Sequence, residues 1–449
     1  MKIDKKNLLF TNKALFLLIV PLIIEQFLAV IVGMVDSMIV ARAGEAAVSG
    51  VSLVDQVMIL MINLFAALAT GGAVVAGQYL GRQEKEKGSK AASQLIYFIL
   101  ISSVVVMIVV YLLKPFVIHV LFGKIDAAVE RHASIYFDIV TASIPFIALY
   151  NGGAAIFRTM GNSGVTMKIA LLMNVINVVG DIGLVYGFGM GTAGVAIPTL
   201  VSRAVAAFVI LFLLLDQSRL LHIAKTAKIR LDFKMVKRIL RIGIPNGLEN
   251  SMFQVGKIVV LGLVSSFGTY AIAANAVSNI LALLQILPGI ALGLATTAVI
   301  SRCIGANDYE QAKYYNRKII IIAHIAIGMM SVVTYLLLPV FMKIYGLSPE
   351  AEREVYIIIT MHSIGCTLIW PESFILPSTL RAAGDANIAL YISTFSMWAF
   401  RIGSAFLLAK VLGMGVSSVW VAMMIDWGFR CVLFIIRYYS GKWKDKAVV

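Results

Sequence analysis

Pro21-Leu-Ile-Ile-Glu25 returns 224 residues later as Pro245-Asn-Gly-Leu-Glu249, and this echo decides how the chain is built. At the same spacing Gly44-Glu-Ala-Ala-Val48 meets Gly268-Thr-Tyr-Ala-Ile272, and Gln78-Tyr-Leu-Gly81 meets Arg302-Cys-Ile-Gly305. Gly189-Met-Gly191 likewise meets Gly413-Met-Gly415, while Phe157-Arg158-Thr-Met-Gly161 and Leu380-Arg381-Ala-Ala-Gly384 follow at 223. Each match is modest alone; five in order, four at 224 and one at 223, mark an internal repeat.

Between these anchors the chain is apolar. Hydrophobic residues make up 60% of its 449 positions and charged ones 14%, with a mean hydropathy of +0.92. A water-soluble domain of this length needs more polar surface, so lipid must be part of the solvent. Runs long enough to span a bilayer fall at 15–40, 53–80, 92–113, 133–156, 166–188 and 193–215. Six more follow at 242–265, 275–301, 318–342, 355–378, 386–409 and 415–437. The reading is an all-α integral membrane protein of twelve transmembrane helices in two pseudo-symmetric six-helix lobes, residues 1–215 and 242–449. The charged stretch 216–241 is the linker between them. Each half has an even number of spans, so the two share an orientation and are expected to flank a central cavity along an axis normal to the membrane.

Charge supports that topology. Of 38 Lys and Arg, 27 lie on the side of the N-terminus, 7 on the other side and 4 within spans. The positive-inside rule then places both termini in the cytoplasm, with the basic linker facing an anionic inner leaflet. The net charge of +15 therefore gives no reason to expect nucleic acid as a partner, because the cations sit in short loops and not on one domain. The leader, Met1 to Lys13, is basic and is followed by a run containing Pro21, Glu25 and Asp36 without a small-residue cleavage site, which reads as a retained first span. Cys303, Cys366 and Cys431 are scattered and suggest neither a metal site nor a disulfide framework.

Carboxylates within spans are costly, roughly 2.5–3.5 kcal/mol each on insertion scales, so the deep ones need a reason. They are Glu25, Asp36, Asp181, Glu249, Glu372 and Asp426. Asn174, Asn177 and Asp181 fall at i, i+3 and i+7 on one helical face. If the first and fifth spans pack, Asp36 joins them, and two close carboxyls in a low dielectric can share one proton or hold a Na⁺ ion through oxygen ligands. The plainer reading is an interhelical hydrogen-bond cluster. In the second half Glu249 shares its helix with Asn246, Asn250 and Gln254, and its plainer reading is a pair with Lys257. Glu372 follows Pro371, where a freed carbonyl and a break in the helix are expected. Asp426 and Arg430, at i and i+4, are expected to pair, with Arg401 nearby. His324 and His362 read as packed histidines.

These residues resemble the multidrug and toxic compound extrusion (MATE) family. The resemblance rests on the Pro21…Asp36 first span, Gly77-Gln78-x-x-Gly81, Arg381-Ala-Ala-Gly384-Asp385 and the two six-helix halves, and it covers nearly the whole chain. It implies a cation-coupled antiporter that exports organic, cationic or amphipathic, drug-like compounds by alternating access in exchange for H⁺ or Na⁺. No other cofactor is implied, and the protein is expected to act as a monomer in the cell (inner) membrane. The family pattern assigns the first-half cation site to Asp36, Asn177, Asp181 and Thr199, and makes Pro21 the point where the first helix bends. Other members place the cation between a seventh-span Glu and a tenth-span acid, here Glu249 and Glu372. The rival reading is a lipid or lipid-linked oligosaccharide flippase of the same superfamily, which would meet phosphates with residues such as Arg203, Lys257 and Arg401. An intramembrane aspartyl protease would need Gly-x-Gly-Asp, and the chain has Val178-Val-Gly180-Asp181, so no enzyme is expected.

Overall fold

The computed structural model describes residues 8–123, 125–224 and 230–449. The leader to Asn7, Lys124 and residues 225–229, all counted in the charge argument, lie outside the described residues. Every regular element among those described is helical, the expected answer to a solvent that cannot satisfy backbone N–H and C=O groups. The helices of the first half are α1 (Asn12–Ala41), α2 (Glu45–Gly81), α3 (Lys85–Leu112), α4 (Ala127–Thr141), α5 (Ile144–Thr159), α6 (Ser163–Asp181) and α7 (Gly191–Leu214). The second half has α8 (Phe233–Ser265), α9 (Thr269–Gly305), α10 (Tyr309–Leu336), α11 (Pro349–Leu368), α12 (Leu376–Ala382), α13 (Ala386–Phe395), α14 (Gly403–Leu412) and α15 (Ser417–Tyr439). A further helix, Leu338–Tyr345, follows α10, and shorter helical pieces lie at Lys114–Phe116, Val117–Leu121 and Lys444–Lys446, complete α6 at Ile182–Gly187 and join α11 to α12 and α13 to α14.

Among the described residues nine helices are long and apolar enough to cross a membrane, and two bent pairs raise the number to eleven. The twelfth expected span, 242–265, lies in α8, which exists but falls short in apolarity because Asn246, Glu249, Asn250, Gln254 and Lys257 interrupt it. The bent pairs are α4–α5, at 48°, and α11 with Pro371–Ala382, at 61°. The second break is the one expected at Pro371. Several helices outrun their apolar windows: α2 begins at Glu45 and not near 53, α9 at Thr269 and not near 275.

The repeat is visible in the backbone. The helices α2 and α9 each have 37 residues and start 224 positions apart, and α3 and α10 match in the same way with 28. Left-handed turn residues recur with the offset: φ is 97° at Gly44 and 95° at Gly268, 62° at Gln83 and 56° at Asn307. The described chain forms two compact units, residues 10–247 and residues 248–449 with Leu8 and Leu9. The boundary therefore falls inside α8.

Each unit also contains the same ion pair. Glu25 of α1 accepts from Thr166 at 2.7 Å and meets Arg158 at 3.5 Å. Its repeat mate Glu249 accepts from Ser393 and from Arg381, both at 2.8 Å. Arg158 and Arg381 each precede a glycine that ends the segment with positive φ, Gly161 at 85° and Gly384 at 94°. Removing one partner of such a secluded pair strands the other charge.

Accordingly, Glu249→Ala should cost about 3 kcal/mol, and adding Arg381→Met should recover more than half of it, read as the melting temperature of the purified protein. A second comparison separates the two glycines. Any side chain there meets the left-handed penalty of about 1–2 kcal/mol, but a Cβ at Gly384 would also lie 2.2 Å from the Lys446 carbonyl, whereas at Gly161 it meets only Phe10, at 4.0 Å. Gly384→Ala should lower the melting temperature more than Gly161→Ala.

Candidate functional site

The first-half candidates meet. α1 packs along α6, and α6 along α7, which brings Asp36, the Asn177–Asp181 face and Thr199 to one place. Asp181, Asn177 and Thr199 are buried, Asp181 completely. Asp36 and Asp181 are electrostatic neighbours. The O and N of an amide are told apart by their hydrogen-bond partners, and here one orientation satisfies its neighbours better. It lets Asn177 donate to both Asp36 oxygens at 3.1 Å while accepting from Thr199 Oγ1 at 3.3 Å. The other aims Nδ2 at Asp181 Oδ1, 3.5 Å away, and at Thr199. In either case Asp181 Oδ2 is buried without a hydrogen-bond donor among the described residues. Two facing carboxylates, one oxygen of which has nothing to accept from, form an arrangement that a shared proton or a small hard cation would complete.

The site is larger than the sequence suggested. Asp55 of α2 accepts from Tyr136 Oη at 3.1 Å, and it lies in the electrostatic neighbourhood of Asp36 and Arg203. Arg203 donates to Ser143 Oγ at 2.7 Å and faces Asp36, Asp55 and Tyr136. The group thus holds three carboxylates and one guanidinium. Asp55 was missed because the apolar window of the second span opens at 53, which placed it at an end. Helix α2 starts at Glu45, so Asp55 is well inside. The signal was there: Ala46, Ala47, Val48 and Val51 already continue the apolar pattern toward Gly44.

The second half distributes its acids differently. Glu249 is held by Arg381 and Ser393 and not by Lys257, which corrects the plainer expectation for it. Lys257 lies instead over the Phe253 ring, 5.2 Å from its centroid. Glu372 accepts from or donates to His324 Nε2 at 3.0 Å, and His324 Nδ1 reaches the Thr367 carbonyl at 2.6 Å. The two glutamates therefore have separate partners. Glu372 keeps one buried oxygen, Oε2, without a hydrogen bond among the described residues. Asp426 pairs with Arg430 at 2.8 Å as expected, with Arg401 at 3.8 Å and with the Ser396 hydroxyl. His362 is packed, edge-on to Trp420 and Trp427, with Nδ1 2.5 Å from Gln285 Oε1. Pro21 lies within the continuous helix α1. No cluster of three or more His, Cys, Asp or Glu suited to a metal occurs among the described residues.

The family model MatE matches the chain twice, at residues 21–182 and 245–407, the second match starting 224 residues after the first. The chain is 26% identical to the "Uncharacterized transporter YisQ" of Bacillus subtilis (strain 168), over 97% of this chain and 96% of that one. It is 23% identical to the "Probable multidrug resistance protein NorM" of Thermotoga maritima, over 98% and 94%. A solved structure described as "Outward-facing conformation of a multidrug resistance MATE family transporter of the MOP superfamily" superposes with a TM-score of 0.88 at 20% identity, covering 96% of each chain. The likeness in fold, the doubled family match and the repeated backbone lead to one conclusion: the chain belongs to the MatE family, the multidrug and toxic compound extrusion transporters.

Proposed function

We propose that the protein is a cation-coupled antiporter that exports organic, cationic or amphipathic compounds by alternating access, exchanging each for H⁺ or Na⁺ taken up at Asp36, Asn177, Asp181 and Thr199. The observation that carries this reading is Asp181 Oδ2, buried and lacking a donor beside a second carboxyl group. Leaving a charged oxygen unsatisfied in a membrane is expensive, and a bound proton or Na⁺ removes the expense, so the occupied and empty sites differ in free energy by enough to bias a conformational equilibrium. Asn177 joins the elements of the site, its amide donating to Asp36 and accepting from Thr199. Pro21, lacking a backbone N–H in α1, is where that helix can respond. Arg203 supplies a fixed positive charge, which lowers the number of further cations the three carboxylates call for. In this reading both termini are cytoplasmic, the membrane is the cell membrane and the monomer is the working unit.

One observation favours the flippase alternative. Around the Phe253 ring of the second half stand Lys257, Arg401 and Arg430, 5.2, 5.4 and 5.6 Å from its centroid, against the one acid Asp426. That half is better suited to an anion than the first.

In vesicles carrying the purified protein, Asp36→Asn should abolish gradient-driven efflux of a fluorescent organic cation without reducing insertion. Retained full transport would remove Asp36 from the mechanism. The same assay with a Na⁺ gradient alone, then a pH gradient alone, assigns the coupling ion. Lys257→Met should leave that cation transport within about twofold of the parent; if the chain moves anionic lipid, the same change should slow lipid exchange about tenfold or more.

A further inference from the structure

At the polar end of α3 the first half forms an open cleft of about 1050 Å³, bounded by the start of that helix and by the segment after α7. Four cations line it, Lys85, Lys90, Arg219 and Arg230, together with His222 and a single acid, Glu86. Lys90 is paired with Asp232 at 2.6 Å and Arg219 with Asp216 at 3.4 Å. Lys85 and Arg230 have no ion pair among the described residues, and the Tyr97 hydroxyl, which also lines the cavity, is buried without a hydrogen-bond partner there.

The cavity is a built feature. The segment beyond α7 is stitched to one face of α3: the His222 and Ala224 amides donate to Ser89 and Ser93, at 3.3 and 3.2 Å, and Gln94 bonds both the Arg230 carbonyl and the Asp232 amide, at 2.8 and 2.7 Å. Those bonds hold Arg219, His222 and Arg230 opposite Lys85.

The second half provides an internal comparison. At the 224-residue offset Lys85 corresponds to Tyr309 and Arg219 to Trp443. Those two rings meet edge-on, 5.9 Å between centroids, and Trp443 is fully buried. The cavity beside α10 and the segment after α15 is about 400 Å³ and is lined by Lys313, Arg317 and Lys444 with the acid Glu372. At the two aligned positions, then, aromatic rings pack together in one half where cations line the larger cleft of the other.

We propose that the first-half cavity is a binding site for a phosphate-bearing anion, held by Lys85, Arg219 and Arg230 with the Tyr97 hydroxyl as a further donor. Phosphate suits the set because guanidinium and ammonium groups can bind its oxygens from several sides. The phosphate can come from the headgroup of an anionic lipid or from a soluble phosphate ester. Neither the antiport reading nor the orientation of the chain in the membrane is needed for it.

Native mass spectrometry of the full chain, titrated with dioleoyl-phosphatidylglycerol and with dioleoyl-phosphatidylcholine, tests the site without any transport. One phosphatidylglycerol per chain should be retained at least about tenfold more tightly than phosphatidylcholine. Lys85→Gln with Arg230→Gln should weaken it about thirtyfold, taking about fivefold per basic residue beside an anionic headgroup, whereas Lys237→Gln with Arg241→Gln, exposed in α8 and outside the cavity, should not. Tyr97→Phe, which keeps the ring, should weaken it severalfold and serves if the double variant does not fold. Displacement by millimolar glycerol 1-phosphate identifies a soluble phosphate ester as a sufficient ligand; a lipid that resists it identifies the headgroup with its chains. Equal retention of the two lipids, with no binding of glycerol 1-phosphate, would overturn the proposal. Equal weakening by the two double variants would do the same, because it would reduce the effect to diffuse surface charge.

Discussion

Hydrocarbon offers no hydrogen bonds, so each polar group that enters it must bring a partner from the same chain. The backbone meets this demand with helices throughout. The side chains meet it one at a time, and the ways they do so distinguish scaffold from site. Glu25 and Glu249 have both a hydroxyl and a guanidinium to satisfy them. Asp426 is shared between Ser396, Arg430 and Arg401. Asp181, Glu372 and Asp426 each retain a buried oxygen with no donor among the described residues. Glu25 and Glu249 belong to the scaffold; of the three acids with a bare oxygen, Asp426 faces two guanidinium groups, Glu372 an imidazole and Asp181 a second carboxyl group.

Pairing also separates what the repeat copied from what it did not. The Glu–Arg clamp occurs in both halves, with the turn glycine after each arginine, so it belongs to the shared framework. Asp36, Asp55, Asn177 and Asp181 gather in the first half, while Lys257, Arg401 and Arg430 gather around Phe253 in the second. The same helices thus carry opposite local charge, and the two lobes need not perform the same step.

Much of this was legible in the sequence. The repeat, the helical class, the break at Pro371, the Asp426–Arg430 pair and the common face of Asn177 and Asp181 all follow from spacing, because helix periodicity and duplication are local or regular signals. Asp55 was not, since hydropathy windows trim helix ends where polar residues begin, and α2 extends past its window. The partner of Glu249 was also missed. Lys257 is near in sequence, whereas Arg381 lies 132 residues on, and only tertiary packing joins them. A trace existed even there: aligned glutamates and aligned arginines at nearly one offset describe a pair formed twice. The seventh span differs in another way, because the very residues that make α8 interesting lower its apolarity.

The unit boundary inside α8 bears on how such a protein can be taken apart. Gly71 of α2 lets that helix approach α8 so closely that a Cβ there would lie 2.4 Å from the Ile239 carbonyl, and the first turns of α8, up to Gly247, belong to the compact unit of residues 10–247. The seam of the repeat in the sequence and the boundary between the compact units are thus different places. A chain cut in the linker before α8 would give a first fragment lacking part of its own packing surface and a second with that surface bare. The first compact unit thus keeps for itself the opening turns of the helix that begins the second repeat.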